Sequence, residues 1–343
     1  MASGNIYNHI HLENQSVTPK YLQLVNSIIR AINTQDIEKD YVLPSINDLS
    51  FELDIARATV EKAYRHLKSL GIIVSVPGKG YFIAKTDFIQ TYKIFLLFNK
   101  LSAHKKIIYD SMVATLGDKA AIDFYIYNND FNTFKKLLLD HMEGYTHFVI
   151  LPHFMDGGDT AHELINSLKG ANLILLDKKI AGITRQFGAV YEDFEKDIFN
   201  ALLEMIDHLE KYHTLKIIFP ADSYFPNEIL KGFTSFCKEY LFNYKIVHDI
   251  EAEPIKDGEA YINLMEDDLV ILLDKINDTR LEPGKNIGII SYNETPLKRF
   301  ILNGITTIST DFAKMGETAA RMIQNGELTQ VEIPFIAHLR ASL

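Results

Sequence analysis

A chain of 343 residues, 47% of them hydrophobic and 23% charged, is long enough for two or three packed domains and is excluded from the disordered class. Its formal net charge of -10 excludes a uniformly basic nucleic-acid binder. That charge is unevenly divided: residues 1–85 hold 9 Lys/Arg against 8 Asp/Glu, a net of +1, whereas residues 86–343 hold 26 against 37, a net of -11. Only the first segment is suited to approach a phosphate backbone, and so small a charge predicts that two such segments act together. The single cysteine, Cys237, leaves no intramolecular disulfide and no cysteine-rich zinc site. Set among Phe233, Phe236 and Tyr240, it is expected to be a buried thiol. No apolar run reaches 18 residues, and the N-terminus carries Glu13 with no signal-like segment, so a soluble cytoplasmic chain without a membrane contact is expected.

In chain order, Tyr21, Leu22, Leu24, Val25, Ile28, Ile29 and Ile32 recur at helical spacing behind Pro19 and predict a first helix. Pro44-Ser45 opens a second, short helix carrying Ile46, Leu49 and Leu53. After a turn at Leu53 to Ala56, Ala58, Val60, Ala63, Tyr64, Leu67 and Leu70 predict a third helix, which Gly71 ends. Ile72 to Val76 and Tyr81 to Ile83 then read as two strands joined by Pro77-Gly78-Lys79-Gly80. This spacing is that of a winged helix-turn-helix, assigned to residues 1–85.

The head closely resembles the GntR family of regulators in Leu43-Pro44-Ser45, Leu49, Arg57, Thr59-Val60, Ala63-Tyr64, Leu67, Gly71 and Gly78-Lys79-Gly80-Tyr81-Phe82. The resemblance implies that Arg57 and Thr59 begin the recognition helix and contact double-stranded operator DNA, with Gly78 at a wing tip near the minor groove. Two departures stand out. Asn47 occupies a position that is often arginine, and Ala56 replaces a common serine or threonine. Asn47 is a candidate phosphate donor, and Lys62, Arg65 and Lys79 are further candidate contacts, against the plainer reading of solvated surface charges. Tyr64 and Leu67 are expected to pack.

From residue 86 the pattern alternates. Strands are predicted at Tyr92 to Phe98, Ala121 to Tyr127, His147 to Leu151, Leu173 to Leu176, Leu215 to Pro220, Tyr244 to Ile250, Leu269 to Leu273 and Asn286 to Ser291. Helices are predicted to Leu116, then at Phe131 to His141, Ala161 to Leu168, Tyr191 to Tyr212, Pro226 to Tyr240 and Phe312 to Asn325. The fold class is therefore α/β with mostly parallel sheets, in two similar units with a cleft at the ends of their strands.

Leu176-Asp177-Lys178, Val190 with Asp193, Gly232-Phe233, Gly288 to Asn293, Ile305 to Ile308, Met315 to Ala320 and Leu339 to Ser342 resemble, in this order, the effector domain of LacI/GalR regulators, itself similar to periplasmic sugar-binding proteins. The resemblance implies a two-subdomain periplasmic-binding-protein-like domain over residues 86–343. Its first subdomain is expected near 91–190 and 309–329, its second near 191–305 and 330–343. A GntR-like head on such a domain resembles arabinose-responsive GntR repressors, which implies a homodimer whose effector alters the spacing or mobility of its two heads. By the same resemblance Asp177 and Asn293 are pocket positions, and Ile229 stands where many such domains carry an effector-binding arginine. Asp274, after an apolar run, is a candidate acceptor for a sugar hydroxyl. Strand-end placement adds Asn99, Lys100, His153, Arg185, Asp193 and Asp222, against loop-stabilising roles. Phe98, Tyr127, Phe154 and Phe225 are candidate rings for an apolar sugar face or for the core. Lys178 and Arg185 keep a sugar phosphate open beside a neutral sugar effector.

The chain lacks the GxSxG, Walker A and HExxH patterns, and its histidines have no metal-ligand spacing. No catalytic activity, cofactor or metal is expected; the alternatives to an effector cleft are a protein-interaction module with no metabolite, which Ile229 and Asn293 suggest, and a sugar-modifying domain, which the missing motifs disfavour.

Overall fold

The computed structural model describes residues 5–88, 90–221 and 223–343. In the N-terminal domain α1 (Lys20–Asn33) buries Leu24, Val25, Ile28, Ile29 and Ile32 along one stripe. β1 (Val42–Leu43) leads into α2 (Ile46–Glu52), whose Ser45 cap accepts a hydrogen bond from the Asp48 amide at 3.1 Å. α3 (Arg57–Ser69) turns Val60, Ala63, Tyr64 and Leu67 into the same core. Gly71, at φ +72°, ends it. β2 (Ile73–Val76) and β3 (Gly80–Ile83) pair antiparallel, Ile73 opposite Ile83 and Val76 opposite Gly80. The wing tip turns through Gly78 at φ +74° and Gly80 at φ +100°, a path that a side chain would strain. β1 pairs with the other side of β3. Two residues are too few to carry an alternating pattern, so sequence reading missed that strand.

The first α/β unit contains β4 (Tyr92–Phe98), β5 (Ala120–Ile126), β6 (His147–Ile150), β7 (Asn172–Asp177) and β8 (Gly188–Tyr191), connected in part by α4 (Ala103–Leu116), α5 (Phe131–Asp140) and α6 (Ala161–Ser167). The second contains β9 (Thr214–Ile218), β10 (Asn243–Val247), β11 (Glu259–Asn263), β12 (Ile287–Tyr292) and β13 (Thr306–Thr310), with α7 (Phe194–Glu204), α8 (Ile206–Leu209), α9 (Glu228–Glu239) and α10 (Glu266–Asn277). The chain returns to the first unit for α11 (Phe312–Asn325) and β14 (Gln330–Glu332), and ends with β15 (Phe335–His338) in the second. The sheet orders are β5-β4-β6-β7-β8-β14 and β10-β9-β11-β12-β13-β15, parallel except for β15 on β13. β6, β7, β12 and β13 are almost wholly buried, as expected of parallel strands covered on both faces.

Three differences from the sequence reading have clear causes. Leu269 to Leu273 is part of α10, not a strand. Leu269, Leu272 and Ile276 are buried at helical spacing, Val270 faces solvent, and Glu266, Asp267 and Asp268 favour a helix start. β11 was missed because its Glu259 is ionic yet buried, which hides the apolar run. The expected division of the two units is also shifted: Thr306–Thr310 lies in the second sheet and Gln330–Glu332 in the first, so the chain crosses between units near residues 192, 311 and 333. Ile333 N–H donates to Tyr191 O at 2.9 Å and Asp311 N–H to Pro334 O at 3.1 Å, tying the crossings together.

The segment before α1 divides: Ile6 and Ile10 pack in the core of the head, whereas residues 16–18 reach the first α/β unit. Val17 N–H donates to Phe124 O at 2.7 Å, Thr18 Oγ1 donates to Ile122 O at 3.0 Å, and Phe124 N–H donates back to Thr18 Oγ1 at 2.9 Å. The arm thereby covers the edge strand β5, while Gln23 of α1 binds the arm through the Thr18 carbonyl at 2.7 Å. Among the described residues no helix is long and apolar enough to cross a membrane.

Candidate functional site

The exposed start of α3 is the candidate nucleic-acid interface. Ala56 supplies no capping oxygen, so the first turn keeps its amides unfilled by a side chain. Arg57 is exposed and its Nε donates to Asn47 Oδ1 at 3.1 Å, which joins the two helices at this face. Thr59 is half-buried beside it. Lys79 and Gly78 are exposed at the wing tip. Arg65 lies 3.8 Å from Glu61 on the outer face of α3. Lys62 is exposed but, five residues beyond Arg57, points about 140° away around the helix, and its ammonium sits 4.0 Å from the Tyr21 ring centroid of α1. Tyr64 packs against Tyr81 and donates to Pro44 O at 2.8 Å.

In each sheet the order reverses between its first and third strands, so loops leaving the C-terminal ends of β4 and β6, and of β9 and β11, splay apart. The two openings face one another. The structure brings Asp177, Asn293, Lys100 and His153 to this cleft. Asp177 ends β7 and Asn293 directly follows β12, corresponding strands of the two sheets, and both residues hold positive φ, +72° and +66°. Such backbone is strained for a side chain other than glycine, and strain of this kind concentrates at ligand sites.

His153 Nε2 and Asp177 Oδ2 are 2.5 Å apart and both groups are buried. Burial works to raise Asp177, but His153 and Lys105 outweigh it and hold the carboxylate below its ordinary range. Burial lowers His153, leaving it a neutral ring that donates to Asp177. Glu192, in the crossing after β8, is raised by burial and by the Asp177 charge. Its Oε2, the Tyr292 hydroxyl and Thr310 Oγ1 are buried with no hydrogen-bond partner among the described residues. Unfilled buried polar atoms at one place are uncommon in a finished core. Burial also lowers His104 to about 3 and Lys105 to about 8. A cavity of about 190 Å³ lies between Lys100, His104, Asn293 and Lys298, and one of about 470 Å³ beside Phe154 and Lys178; Tyr224 lines both.

Other sequence candidates lie elsewhere. Asp274 is exposed in the last turn of α10, because the run before it is helical. Arg185 donates to Leu168 O at 2.6 Å and to Ala171 O, closing the opposite end of the sheet. Asp193 caps α7, accepting from Lys196 N–H at 3.3 Å, and its neighbour Glu192 faces the cleft instead. Asn99 is fully buried behind the wall, bonded to Asn129 and Lys105. Asp222 lies outside the described residues. Phe98 and Tyr127 are core residues, whereas Phe225 lines the cleft. Ile229 is buried in the core of the second unit. Cys237 is buried, and burial pushes its thiol up to about 12. Sequence reading missed Lys105, Glu192, Tyr224, Tyr292 and Lys298, none of which ends a predicted strand.

Residues 20–83 match the family model described as bacterial regulatory proteins, gntR family. Over 76 residues the chain is 38% identical to the HTH-type transcriptional regulator YhdI of Bacillus subtilis, covering 22% of this chain and 16% of that protein. The chain thus spans about a sixth of the length of that relative. Among solved structures, a LacI family transcriptional regulator from Enterococcus faecium with bound ribose shares 17% identity and a TM-score of 0.57, over 73% of this chain and 98% of that one. The trehalose repressor from Escherichia coli shares 14% identity and a TM-score of 0.57, over 72% of this chain and 99% of that one. The N-terminal domain is a GntR-type helix-turn-helix, and the remainder has the two-unit fold of LacI-type repressors.

Proposed function

We propose that the chain is a sequence-specific transcriptional repressor, acting as a homodimer on a symmetric operator and controlled by a small polyhydroxylated effector bound in the cleft. One observation carries the effector reading: the two sheets present Asp177 and Asn293, both at strained backbone, where corresponding strands finish, beside the unfilled oxygens of Glu192 and Tyr292. A ligand rich in hydroxyls completes those bonds and favours the closed arrangement of the two units. Ribose in one fold relative and the trehalose repressor's name support this class. We assign the domain no catalytic role.

Coupling to DNA follows the arm. Ile122 and Phe124 of β5 hold residues 17 and 18, and β5 pairs with β4, whose end carries Lys100. Closure of the cleft shifts β4 and β5 together and changes how firmly the head is held.

The test is a thermal-shift panel of neutral sugars on the full chain, followed by operator titration with any hit. A hit that leaves operator affinity unchanged overturns the coupling. Arg57→Ala is expected to cost operator binding about 1–3 kcal/mol, read by fluorescence anisotropy. Sedimentation at micromolar concentration checks the dimer.

A further inference from the structure

The first unit places two ammonium groups at the cleft that its own atoms do not satisfy. Lys105 is 3% exposed, and among the described residues its three protons find one acceptor, Asn99 Oδ1. Lys100 is half-buried at the end of β4 with neither hydrogen bond nor ion pair among the described residues. Both face one ring: Lys100 Nζ lies 4.3 Å and Lys105 Nζ 5.8 Å from the Tyr224 centroid. An aromatic face compensates an ammonium by only about 0.5–2 kcal/mol, far less than a desolvated charge needs. Tyr224 itself sits in the irregular connection between β9 and α9, and its hydroxyl has no hydrogen-bond partner among the described residues. A neutral ring from the second unit therefore stands against two ammonium groups of the first, with Asp177 as the charge that acts on its hydroxyl.

We propose that the effector is anionic, a polyol whose phosphate or carboxylate takes the place of the Tyr224 ring between Lys100 and Lys105 while its hydroxyls meet Asp177 and Asn293. This rests on the effector reading above. Glu266 and Asp267 line the cleft on the opposite wall and act on Lys100, so the anion is held deep, toward Lys105, and away from those carboxylates. Asp177 is the acid that acts most on Lys105, and the effector's hydroxyls rather than its anionic group are set against it, while burial and the Asp177 charge raise Glu192. Burial lowers both lysines, and an anion between them favours their charged forms. The displaced Tyr224 then covers the mouth.

The experiment is isothermal titration of the full chain with four probes: inorganic phosphate, D-ribose, D-ribose 5-phosphate and D-ribonate. The two charged sugars separate the phosphate from the carboxylate source. At least one is expected to bind about tenfold or more tightly than ribose, with the gain reduced about tenfold by Lys105→Met and by Lys100→Met. Tyr224→Ala is expected to tighten inorganic phosphate, because no ring has to leave. Arg57→Ala leaves these affinities unchanged, which separates the cleft from phosphate binding at the DNA face. Equal affinity for ribose and the charged sugars, or a charged-sugar affinity unaffected by both lysine variants, overturns the anion and leaves the polyol reading standing. Absence of binding by phosphate and by both charged sugars also overturns it, and the neutral-sugar panel then decides the polyol reading separately. Lys100→Met, at a less buried position, guards against a folding defect in Lys105→Met.

Discussion

The two α/β units share a strand order but treat buried ammonium groups in opposite ways. In the second unit Lys216, 4% exposed on β9, meets Glu253 and Glu259 at 2.7 Å each and the Tyr261 hydroxyl at 3.1 Å, while Lys245 closes on the other Glu253 oxygen at 2.5 Å. In the first unit Lys105 meets one amide oxygen, and the neighbouring Glu192 keeps an unfilled oxygen. The Lys216 network is complete and lies away from the cleft residues. The Lys105 group is incomplete and opens onto them. A buried charge with all its partners belongs to the fold, whereas one with partners missing marks a place that a ligand completes.

This contrast is most easily broken at Lys216. Lys216→Met leaves buried Glu259 without its cation and Glu253 with Lys245 alone, and is expected to cost about 3–5 kcal/mol of stability, read as a lowered urea midpoint. A loss under 1 kcal/mol would remove the distinction drawn between the two networks. The next largest effects test what the units share. In each, a glycine lets two helices touch: a methyl at Gly232 of α9 would stand 2.1 Å from Glu195 O of α7, and one at Gly316 of α11 would stand 2.3 Å from Ile108 O of α4. Gly232→Ala and Gly316→Ala are each expected to cost about 1–3 kcal/mol, measured by the same denaturation. Lys105→Met should do the reverse of Lys216→Met. An apolar side chain in place of an incompletely paired buried lysine is neutral or stabilising by up to about 1 kcal/mol, so a midpoint unchanged or raised, with loss of charged-ligand binding, sharpens the comparison.

A further expected effect is one of pH. Asp197 of α7 is raised to about 7 by burial, with Glu332 and Asp193 adding to it, and its Oδ2 lacks a hydrogen-bond partner among the described residues. Its folded form binds the proton more tightly than the unfolded chain does, so its contribution is full below about pH 4 and is lost as pH rises through 7. Asp197→Asn is expected to flatten stability between pH 4 and 7, followed by thermal midpoints across that range. An unaltered slope would show that the carboxyl ionises freely.

What sequence alone determined is local. Arg57, Thr59, Gly78 and Lys79 fall within one continuous stretch whose helical periods and wing glycines are set by neighbouring residues, so the head was legible without a structure. The alternation of strands and helices was legible for the same reason, and so was Asp177 as a strand end, whereas Asn293 was picked out by resemblance to the LacI/GalR effector domain. It failed where burial contradicts residue type: ionic Glu259 lies in a strand, and the apolar run before Asp274 turns as a helix behind three acids. The cleft was only partly readable, because Lys105 sits on a helix, Glu192 at a crossing and Tyr224 in a connection, and none borders the others in sequence. Only the packing of two sheets brings them together. Whether a lysine is a solvated surface charge or an unsatisfied ammonium is decided by which atoms surround it, and those atoms come from distant parts of the chain.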